Sequence, residues 1–392
     1  MIGCGSDGAS SKGAGGGGGA ADGTVTRADV VKTYAENLAT AYNDAVQDEK
    51  DSQAVVGAFL ADPTEANLAK ARSSWLASRA HYMLTEGARF YDGPIDADPP
   101  NNEGLVNSWP LDEAYIDYTT TLDSNGEPVV DETVGIVNLP SLLEDITAAG
   151  LDELNAAGGD ENISAGYHAV EFLLWGQALR ETGPGERPAS DYQSRGPRAN
   201  PERRAKYLTV SIDGIIDHLQ NVADGWTPTA SYRVAFEAAP DESLTKIFTG
   251  LAKFSKGELA GQRIRAAYKS KERHDQHDCF SSETLTDYTR DALGVQNMYL
   301  GIYGHNDGPG LDELVRAVDP AEDAKLQAML QASVDAVKAI PAPFEASIAG
   351  ADSSPGRQAI SAAINALSAQ GDEFGIAARK LGLTITVDDP TQ

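Results

Sequence analysis

The most chemically suggestive stretch of the sequence is residues 166–177, where His168 and Glu171 stand three positions apart among apolar neighbours. On a helix this spacing puts both side chains on one face, so the imidazole and the carboxylate can bind one cation or hydrogen-bond each other. Apolar residues on nearly every side predict that the helix is buried. A buried glutamate is costly unless it is paired or protonated. The pair therefore predicts either a metal site or a hydrogen-bonded His–Glu pair in the core.

Residues 273–282 form a second cluster, with two histidines, two aspartates, one cysteine and two serines within ten positions. His274 and His277 can chelate a metal together if this stretch is helical. The same residues also suit a turn that begins a helix, because Asp and Ser cap free amides ahead of the apolar residues 285–303. Both interpretations stay open.

The chain lacks the signatures of several common enzyme classes. The His-Glu-x-x-His motif of zinc peptidases is absent, as are Ser-His-Asp hydrolase elbows, phosphate loops and dinucleotide glycine fingerprints. Arg79 and Glu86 on a predicted helix, and Asp112 and Asp117 within residues 107–118, are further charged candidates. Taken singly, each is more typical of a solvated or salt-bridged charge than of a ligand.

Helical spacing dominates from about residue 26 onward, with Ala-rich segments and almost no strand-like alternation, which predicts an all-α fold. Helices of this length joined by loops indicate bundles. Two irregular stretches rich in Pro, Gly and polar residues interrupt them, residues 92–140 and 181–197, and the second divides the helices into two halves. The predicted helices are residues 27–49, 64–91, 141–155, 164–179, 201–224, 241–267, 282–303, 320–340 and 354–381.

Composition excludes several classes of function. The chain has 392 residues, 41% hydrophobic and 23% charged, which is ordinary globular usage rather than that of a disordered or membrane-embedded protein. A formal net charge of −28 repels phosphate backbones, so nucleic acid is excluded as a partner. Cys4 and Cys279 are the two cysteines, too few for a disulfide framework or a multi-thiolate zinc site. Any metal must therefore rely on histidines and carboxylates.

The N-terminal residues predict a membrane anchor. Cys4 follows the small residue Gly3 and precedes a tract made almost wholly of Gly, Ala and Ser over residues 8–23, so residues 1–25 are predicted to be a flexible tether. A small residue before such a cysteine resembles the processing site of a bacterial lipoprotein, with Cys4 carrying the lipid. On that interpretation the body is extracytoplasmic, either periplasmic or on the cell surface. The alternative is an ordinary exposed thiol on a disordered tail.

Four blocks, in order along residues 27–381, resemble the imelysin family. Residues 166–176 resemble its Gly-x-His-x-x-Glu motif, and residues 107–113 are similar to its Trp-Pro-Leu-Asp segment. Residues 257–263 and 277–281 resemble the iron-regulated protein A branch of the family. Two departures stand out: the family usually has acids where residues 273–275 read Arg-His-Asp, and Gln262 stands where Glu is common.

The resemblance implies a fold of two helical bundles that look like an internal duplication, here residues 26–197 and 198–392, with the His-x-x-Glu helix near their junction. Family members are typically periplasmic or surface lipoproteins and are often iron-regulated. By position, His168 and Glu171 inherit the metal site, and Asp112 is the nearby acid expected to complete it. The expected pocket lining is Gly166, Trp175, Arg79, Glu86, Arg263, His277 and Ser281.

The leading hypothesis is a lipid-anchored binding protein that holds a metal ion, an iron chelate or haem between its bundles in iron uptake, with a membrane transport partner. Iron is favoured, while zinc and manganese also suit one imidazole with oxygen ligands. Haem has less support, because no Cys-x-x-Cys-His attachment motif is present. The alternatives are a metal-dependent peptidase with Glu171 as general base, and a non-catalytic docking lipoprotein.

Overall fold

Long helices build the part of the chain that the computed structural model describes, residues 24–387. The structure is 65% helical and 3% strand, so the all-α prediction is confirmed. Within the described range, no helix combines the length and apolar character needed to cross a membrane. Cys4 and nearly all of the predicted tether lie outside the described residues.

The helices are, in chain order, α1 (Arg27–Ala61), α2 (Glu65–Tyr82), α3 (Asn102–Val106), α4 (Glu113–Ile116), α5 (Gly135–Asn138), α6 (Ala148–Leu154), α7 (Gly166–Trp175), α8 (Pro201–Gly225), α9 (Ser231–Ala238), α10 (Pro240–Lys253), α11 (Ala266–Ser270), α12 (Thr284–Leu300), α13 (Leu311–Val318), α14 (Pro320–Lys338), α15 (Phe344–Ala349) and α16 (Pro355–Lys380). Further short helical segments are the 3-10 turns Met83–Ala88, Ala189–Tyr192 and Arg273–Asp275 and the π-helix Phe254–Arg265. Two antiparallel hairpins are formed by β1 (Thr119–Leu122) with β2 (Pro128–Asp131) and by β3 (Ile302–Tyr303) with β4 (Asn306–Asp307).

The first bundle consists of α1, α2, α7 and α8. Helix α1 packs along α2 and α8, and α7 contacts both α2 and α8. A reciprocal cap begins α1: the Thr26 side chain accepts a hydrogen bond from the Asp29 backbone, and the Asp29 carboxylate accepts one from the Thr26 backbone. Every residue of α7 is buried, as its nearly uniform apolar sequence predicts.

The second bundle consists of α10, the π-helix, α12, α14 and α16. Helix α16 packs against α10, the π-helix and α14, while α12 packs against α14. The helix predicted over residues 241–267 is one continuous rod, but its central part is widened into the π-helix. The two bundles meet where α12 packs against the 3-10 turn Met83–Ala88 that follows α2.

Helix α8 packs against the first bundle although it follows the boundary predicted at residues 197 and 198. Its neighbours are α1, α7 and α3, and α8 makes only slight contact with α9. The side chain of Arg203 on α8 also donates to four backbone carbonyls between residues 136 and 144. The change from one bundle to the other therefore falls after Gly225.

Several helix limits differ from the sequence-based ones. Helix α1 continues to Ala61, just before the Asp62-Pro63 pair. Helix α7 ends at Trp175, because Gly176 has φ 66° and ψ −170°, a conformation that cannot continue a helix. The irregular stretch 92–140 holds α3, α4, α5 and the first hairpin, and the short helices α9, α13 and α15 were not predicted.

Candidate metal centre

Helix α7 carries His168 and Glu171 into the interior of the molecule. It begins at Gly166, whose φ is +85°, and a Cβ there would lie 2.5 Å from the carbonyl oxygen of Val106. Only glycine allows this backbone approach. Gly166 therefore fixes where α7 begins and, through it, where the His168 side chain lies.

The segment ahead of α12 faces α7 and supplies further side chains. The backbone N–H of Ser281 donates to Oε1 of Glu171 at 2.6 Å. The ring of His277 stands edge-on to the ring of His168, with centroids 4.7 Å apart. The structure thus brings His277 and Ser281, both expected in the pocket, to the His168 and Glu171 pair.

Three buried side chains offer ligand atoms that lie within 4.8 Å of one another: His168, His277 and Asp278. Oδ1 of Asp278 is 3.6 Å from Nδ1 of His168 and 3.7 Å from Nδ1 of His277. Both Nε2 atoms and both Asp278 carboxylate oxygens are buried without a hydrogen-bond partner among the described residues. Buried polar atoms normally have partners. Two imidazole nitrogens and one carboxyl group, all buried without a hydrogen bond, are therefore a donor set that fits a divalent transition metal.

Two further carboxylates lie close to the Nδ1 atoms of the histidine rings. Nδ1 of His168 lies 3.2 Å from Oε2 of Glu171, and Nδ1 of His277 lies 3.2 Å from Oδ2 of Asp287. In metal sites a carboxylate on one ring nitrogen fixes the tautomer and leaves the other nitrogen free to bind. Glu171 is outside the trio of converging ligand atoms, and both of its oxygens already have partners.

Arg79 of α2 lies against the carboxylates of Asp287 and Asp278 and offsets their charge. Its Nε donates to Oδ2 of Asp287 at 3.0 Å, and its Nη2 lies 3.5 Å from Oδ1 of Asp278. Its Nη1 donates to Oδ1 of Asn107 at 3.2 Å. The guanidinium carbon stands 4.9 Å from the ring centre of Tyr167, a favourable cation–π distance. Arg79 therefore positions carboxylates and is not itself a ligand, because guanidinium has only donors.

Burial and neighbouring charges set the protonation of the site. Burial, followed by the Arg79 charge, lowers the pKa of His168 well below its ordinary value, and burial also lowers the pKa of His277. Both imidazoles are therefore neutral near pH 7, as metal ligation requires. Although burial opposes it, Arg79 holds the pKa of Asp287 well below the usual range. Burial raises the pKa of Glu171 to about 7, and burial with the Asp287 charge raises the pKa of Asp278 well above its usual value.

Glu86 and Arg263 lie in an adjoining buried network rather than among the ligand atoms. Arg263 pairs with Glu86, and its Nη1 contacts Oδ2 of Asp291 at 3.0 Å. Nη1 of Arg89 donates to Oε2 of Glu86 at 3.0 Å. Burial acts to raise the pKa of Glu86, but Arg263 and Arg89 lower it to about 2. These residues join the 3-10 turn after α2 to the π-helix and α12, and so they hold the two bundles together at the site.

Asp112 does not join the candidate metal centre. Its exposed side chain accepts a hydrogen bond from the backbone N–H of Ala114 at 2.9 Å, which caps α4. Asp112 was expected to complete the site. In the structure the acid beside the two histidines is Asp278, which is adjacent to His277 in the sequence. Trp175 packs against Trp75, with ring centroids 5.3 Å apart, and supports α7 from its far end.

Asp278 and Asp287 are the site residues that sequence reasoning missed. Asp278 is next to His277 in the cluster of residues 273–282, so its position beside a candidate ligand could have identified it. Asp287 lies ten positions after His277, and no sequence motif links the two residues. It reaches the ring because the segment ahead of α12 turns back on the first turn of the helix.

A small opening reaches the histidines from outside. The cavity has a volume of about 10 Å³ and is lined by Trp109, Glu113, His274 and Phe280, among others, as well as by His168 and His277. That volume has room for roughly one water molecule. His274 is exposed and lines this cavity, but it is not one of the three residues whose ligand atoms converge.

Comparison with known proteins places this fold in a family. The family model described as Peptidase_M75: Imelysin matches residues 38–374. The chain therefore belongs to the imelysin family, and the resemblance seen in the sequence is confirmed.

Individual relatives agree with this assignment. The chain is 24% identical over 320 residues to a protein named iron-regulated protein A from Synechococcus elongatus, covering 79% of this chain and 74% of that one. Among solved structures, it resembles one described as an iron-regulated protein A precursor from Parabacteroides distasonis, with a TM-score of 0.69, 17% identity and coverage of 92% and 96%. It also resembles an imelysin-like protein from Psychrobacter arcticum, with a TM-score of 0.61, 13% identity and coverage of 91% and 98%. At these identities the solved structures show the same fold.

Proposed function

We propose that this protein binds a metal ion, with iron favoured, through His168, His277 and Asp278, and that it does so in extracytoplasmic iron uptake. The observation that carries the proposal is the convergence of three buried ligand atoms within 4.8 Å, with both Nε2 atoms unpartnered. Arg79 and the two orienting carboxylates preorganise that donor set.

Iron is preferred on two grounds. Two imidazoles and one carboxylate form a mixed nitrogen and oxygen donor set, and sets of this kind suit iron as well as manganese and zinc. The name of the Synechococcus elongatus relative, iron-regulated protein A, then favours iron among them. Three protein ligands leave coordination positions free for water or for a small chelating molecule. An opening of about 10 Å³ suits an ion better than haem.

The test is calorimetric titration of the metal-free protein with ferrous, ferric-citrate, manganese and zinc solutions. We expect one-to-one binding that is strongest for iron and is lost in His277→Ala and Asp278→Asn. His274→Ala is the matched control, because this exposed histidine lies three positions from His277 in the same segment. Binding that survives in His277→Ala, or that His274→Ala abolishes equally, would contradict the proposed site.

The alternative function, that of a metal-dependent peptidase, is tested with the same protein. In such an enzyme Glu171 acts as general base on a metal-bound water, but the small opening to His168 and His277 disfavours a peptide substrate. We expect no chelator-sensitive cleavage of an unstructured peptide by the iron-loaded protein. Cleavage that disappears in Glu171→Gln would replace the binding role with the enzymatic one.

The lipid anchor at Cys4 and a membrane transport partner belong to the same proposal. An exported body tethered through residues 1–25 could pass its metal to a neighbouring membrane protein. Palmitate labelling in a bacterial host, behind a lipoprotein signal segment, is expected for the wild-type chain and not for Cys4→Ala. Equal labelling of both, or of neither, would remove the anchor from the proposal.

A further inference from the structure

The ligand atoms of the candidate metal centre are closed off from solvent, so an ion needs a route to reach them. Nε2 of His168, Nε2 of His277 and both carboxyl oxygens of Asp278 are buried, and the opening beside them has a volume of about 10 Å³. Cys279 and Phe280 line that opening and directly follow the last of these ligands in the sequence. The contacts that hold these two residues in place therefore control access to the site.

The loop after α7, residues 177–186 and here called the return loop, packs against the lining of the opening. The backbone N–H of Gly185 donates to the carbonyl of Phe280 at 2.8 Å. The two ends of the return loop are joined to each other, because the N–H of Arg187 donates to the carbonyl of Trp175 at 2.8 Å. A compact surface loop whose ends meet can move as a unit without disturbing the elements on either side of it.

Arg273 joins the return loop to the lining of the opening. Its Nη2 donates to the carbonyl of Cys279 at 2.9 Å, and its Nε donates to the same oxygen at 3.3 Å. Its Nη1 donates to the carbonyl of Arg180 at 3.2 Å, and Nη2 also donates to that of Gly183. A guanidinium presents its donors in one rigid plane, so it fixes several acceptors relative to one another. Arg273 therefore holds one lining residue and two residues of the return loop together.

Glu345 of α15 completes this junction from a third segment of the chain. Its Oε1 accepts hydrogen bonds from the N–H of Gly183 at 2.8 Å and from the hydroxyl of Ser282 at 2.6 Å. The same oxygen lies 3.7 Å from Nη1 of Arg273. Glu345 is buried, and a buried carboxylate depends on partners of this kind. Because one oxygen contacts all three groups, the return loop and the stretch after Asp278 hold or separate together.

We infer that Arg273 and Glu345 form a latch, and that opening of this latch sets the rate at which a metal ion enters and leaves the site. Both are positioning residues, because neither supplies one of the converging ligand atoms. With the latch closed, Phe280 packs on Phe172, with ring centroids 5.0 Å apart, and the opening stays narrow. With the latch open, residues 279–282 are free to move away from α7. This inference rests on the proposed function and adds to it how access to the site is regulated.

Amide hydrogen exchange in the metal-free full chain tests the latch itself. Arg273→Gln is expected to accelerate exchange at the Gly183 and Gly185 amides about tenfold, the size expected for losing one charge-assisted hydrogen bond. The amide of Arg187, whose hydrogen bond closes the neck of the return loop, is expected to exchange as in the wild type.

Lys271→Gln is the matched control for this experiment. It also removes one positive charge, but Lys271 is exposed and its Nζ faces Asp352, at 3.4 Å, rather than the return loop. Unchanged exchange of the two loop amides in Arg273→Gln, or equal acceleration in Lys271→Gln or at the Arg187 amide, would overturn the latch. If Arg273→Gln does not fold, Ser282→Ala decides by the same readout, because it removes only the hydroxyl bond to Glu345.

The rates of metal exchange test the gating role of the latch. Release is measured by mixing the ferrous-loaded protein with excess chelator, and loading by mixing the metal-free protein with ferrous iron. We expect Arg273→Gln to accelerate both by about tenfold, so that the dissociation constant stays nearly the same, whereas damage to the ligand geometry would accelerate release alone. No iron binding by the wild type would remove the proposed function and the gating with it. Equal rates in two proteins that both bind iron, or faster release without faster loading, would overturn the gating alone.

Discussion

At the residue scale, the role of Glu171 separates two descriptions of the candidate metal centre. A ligand would lose its metal bond on substitution, whereas an orienting group would only loosen the ring it holds. In the structure the Glu171 oxygens contact the Ser281 amide and Nδ1 of His168. The geometry therefore assigns the orienting role to Glu171.

Glu171→Gln is expected to weaken iron binding by about tenfold rather than to abolish it, which is the low end of the effect of removing such a partner. The glutamine oxygen still accepts from the Ser281 amide, but its NH2 group cannot accept from Nδ1 of His168. Titration of both proteins measures the ratio. Complete loss of binding, equal to that of His277→Ala, would make Glu171 a direct ligand.

Glu49 of α1 is a buried acid outside the metal centre, and it makes stability depend on pH. Its carboxylate oxygens have no hydrogen-bond partner among the described residues, and burial raises its pKa to about 7. The fold therefore holds the proton more tightly than the unfolded chain does. The contribution is full below about pH 4.5 and is lost as pH rises towards 7.

Glu49→Gln is expected to be more stable than wild type by roughly 3 kcal/mol at pH 8 and nearly equal to it at pH 4.5. Urea unfolding at both pH values measures the difference. Glu153→Gln, at an exposed position on α6, is the control and should show no such pH-dependent gain. A constant difference between Glu49→Gln and wild type across this range would contradict the buried-acid explanation.

At the element scale, the start of α7 depends on a single backbone contact. Gly166 and Gly183 both have positive φ, 85° and 87°, but a Cβ at 166 would press on the Val106 carbonyl, whereas one at 183 would meet nothing within 4 Å. Comparing the two positions therefore isolates the steric contact from the conformational cost.

Gly166→Ala is expected to lower the free energy of unfolding by about 3 kcal/mol, and Gly183→Ala by about 1 kcal/mol. Denaturant unfolding gives both values. The same Gly166→Ala protein should bind iron more weakly, because a displaced α7 moves His168. Equal destabilisation by the two substitutions would show that the contact with the Val106 carbonyl does not contribute to the loss of stability.

The helices were predictable from sequence where apolar periodicity is long, as in α1, α8 and α16. The short helices α9, α13 and α15 were missed, because six to eight residues give too little periodicity to recognise. The pair His168 and Glu171 was found because both lie on one helix turn. Asp287 could not be found, since its contact with His277 depends on tertiary folding rather than on spacing.

At the scale of the whole molecule, buried ion pairs join the two bundles. Arg79 of the first bundle pairs with Asp287 of the second, and Glu86 after α2 pairs with Arg263 of the π-helix. Removing one partner of a buried pair leaves an uncompensated charge, which is strongly destabilising. The junction between the bundles is thus an electrostatic contact as well as an apolar one.

Arg263→Gln is expected to lower the free energy of unfolding by about 3–5 kcal/mol, because Glu86 and Asp291 lose their shared cation. Arg265→Gln is the matched control, since the half-buried Arg265, two positions later, donates a hydrogen bond to the Ser368 hydroxyl at 3.2 Å and forms no ion pair with another described residue. Urea unfolding compares them. Similar stability of the two variants would show that the junction does not depend on this ion pair.

The position of the site between the bundles has a consequence for biosynthesis. Glu171 receives its hydrogen bond from Ser281, which is 110 residues later in the chain. A nascent chain therefore exposes α7, with its acid and its imidazole, well before the ribosome has made the partners that satisfy them. The candidate site therefore forms only once residues 277–287 have been made, and a product that ends before them leaves the apolar helix α7 without these polar partners.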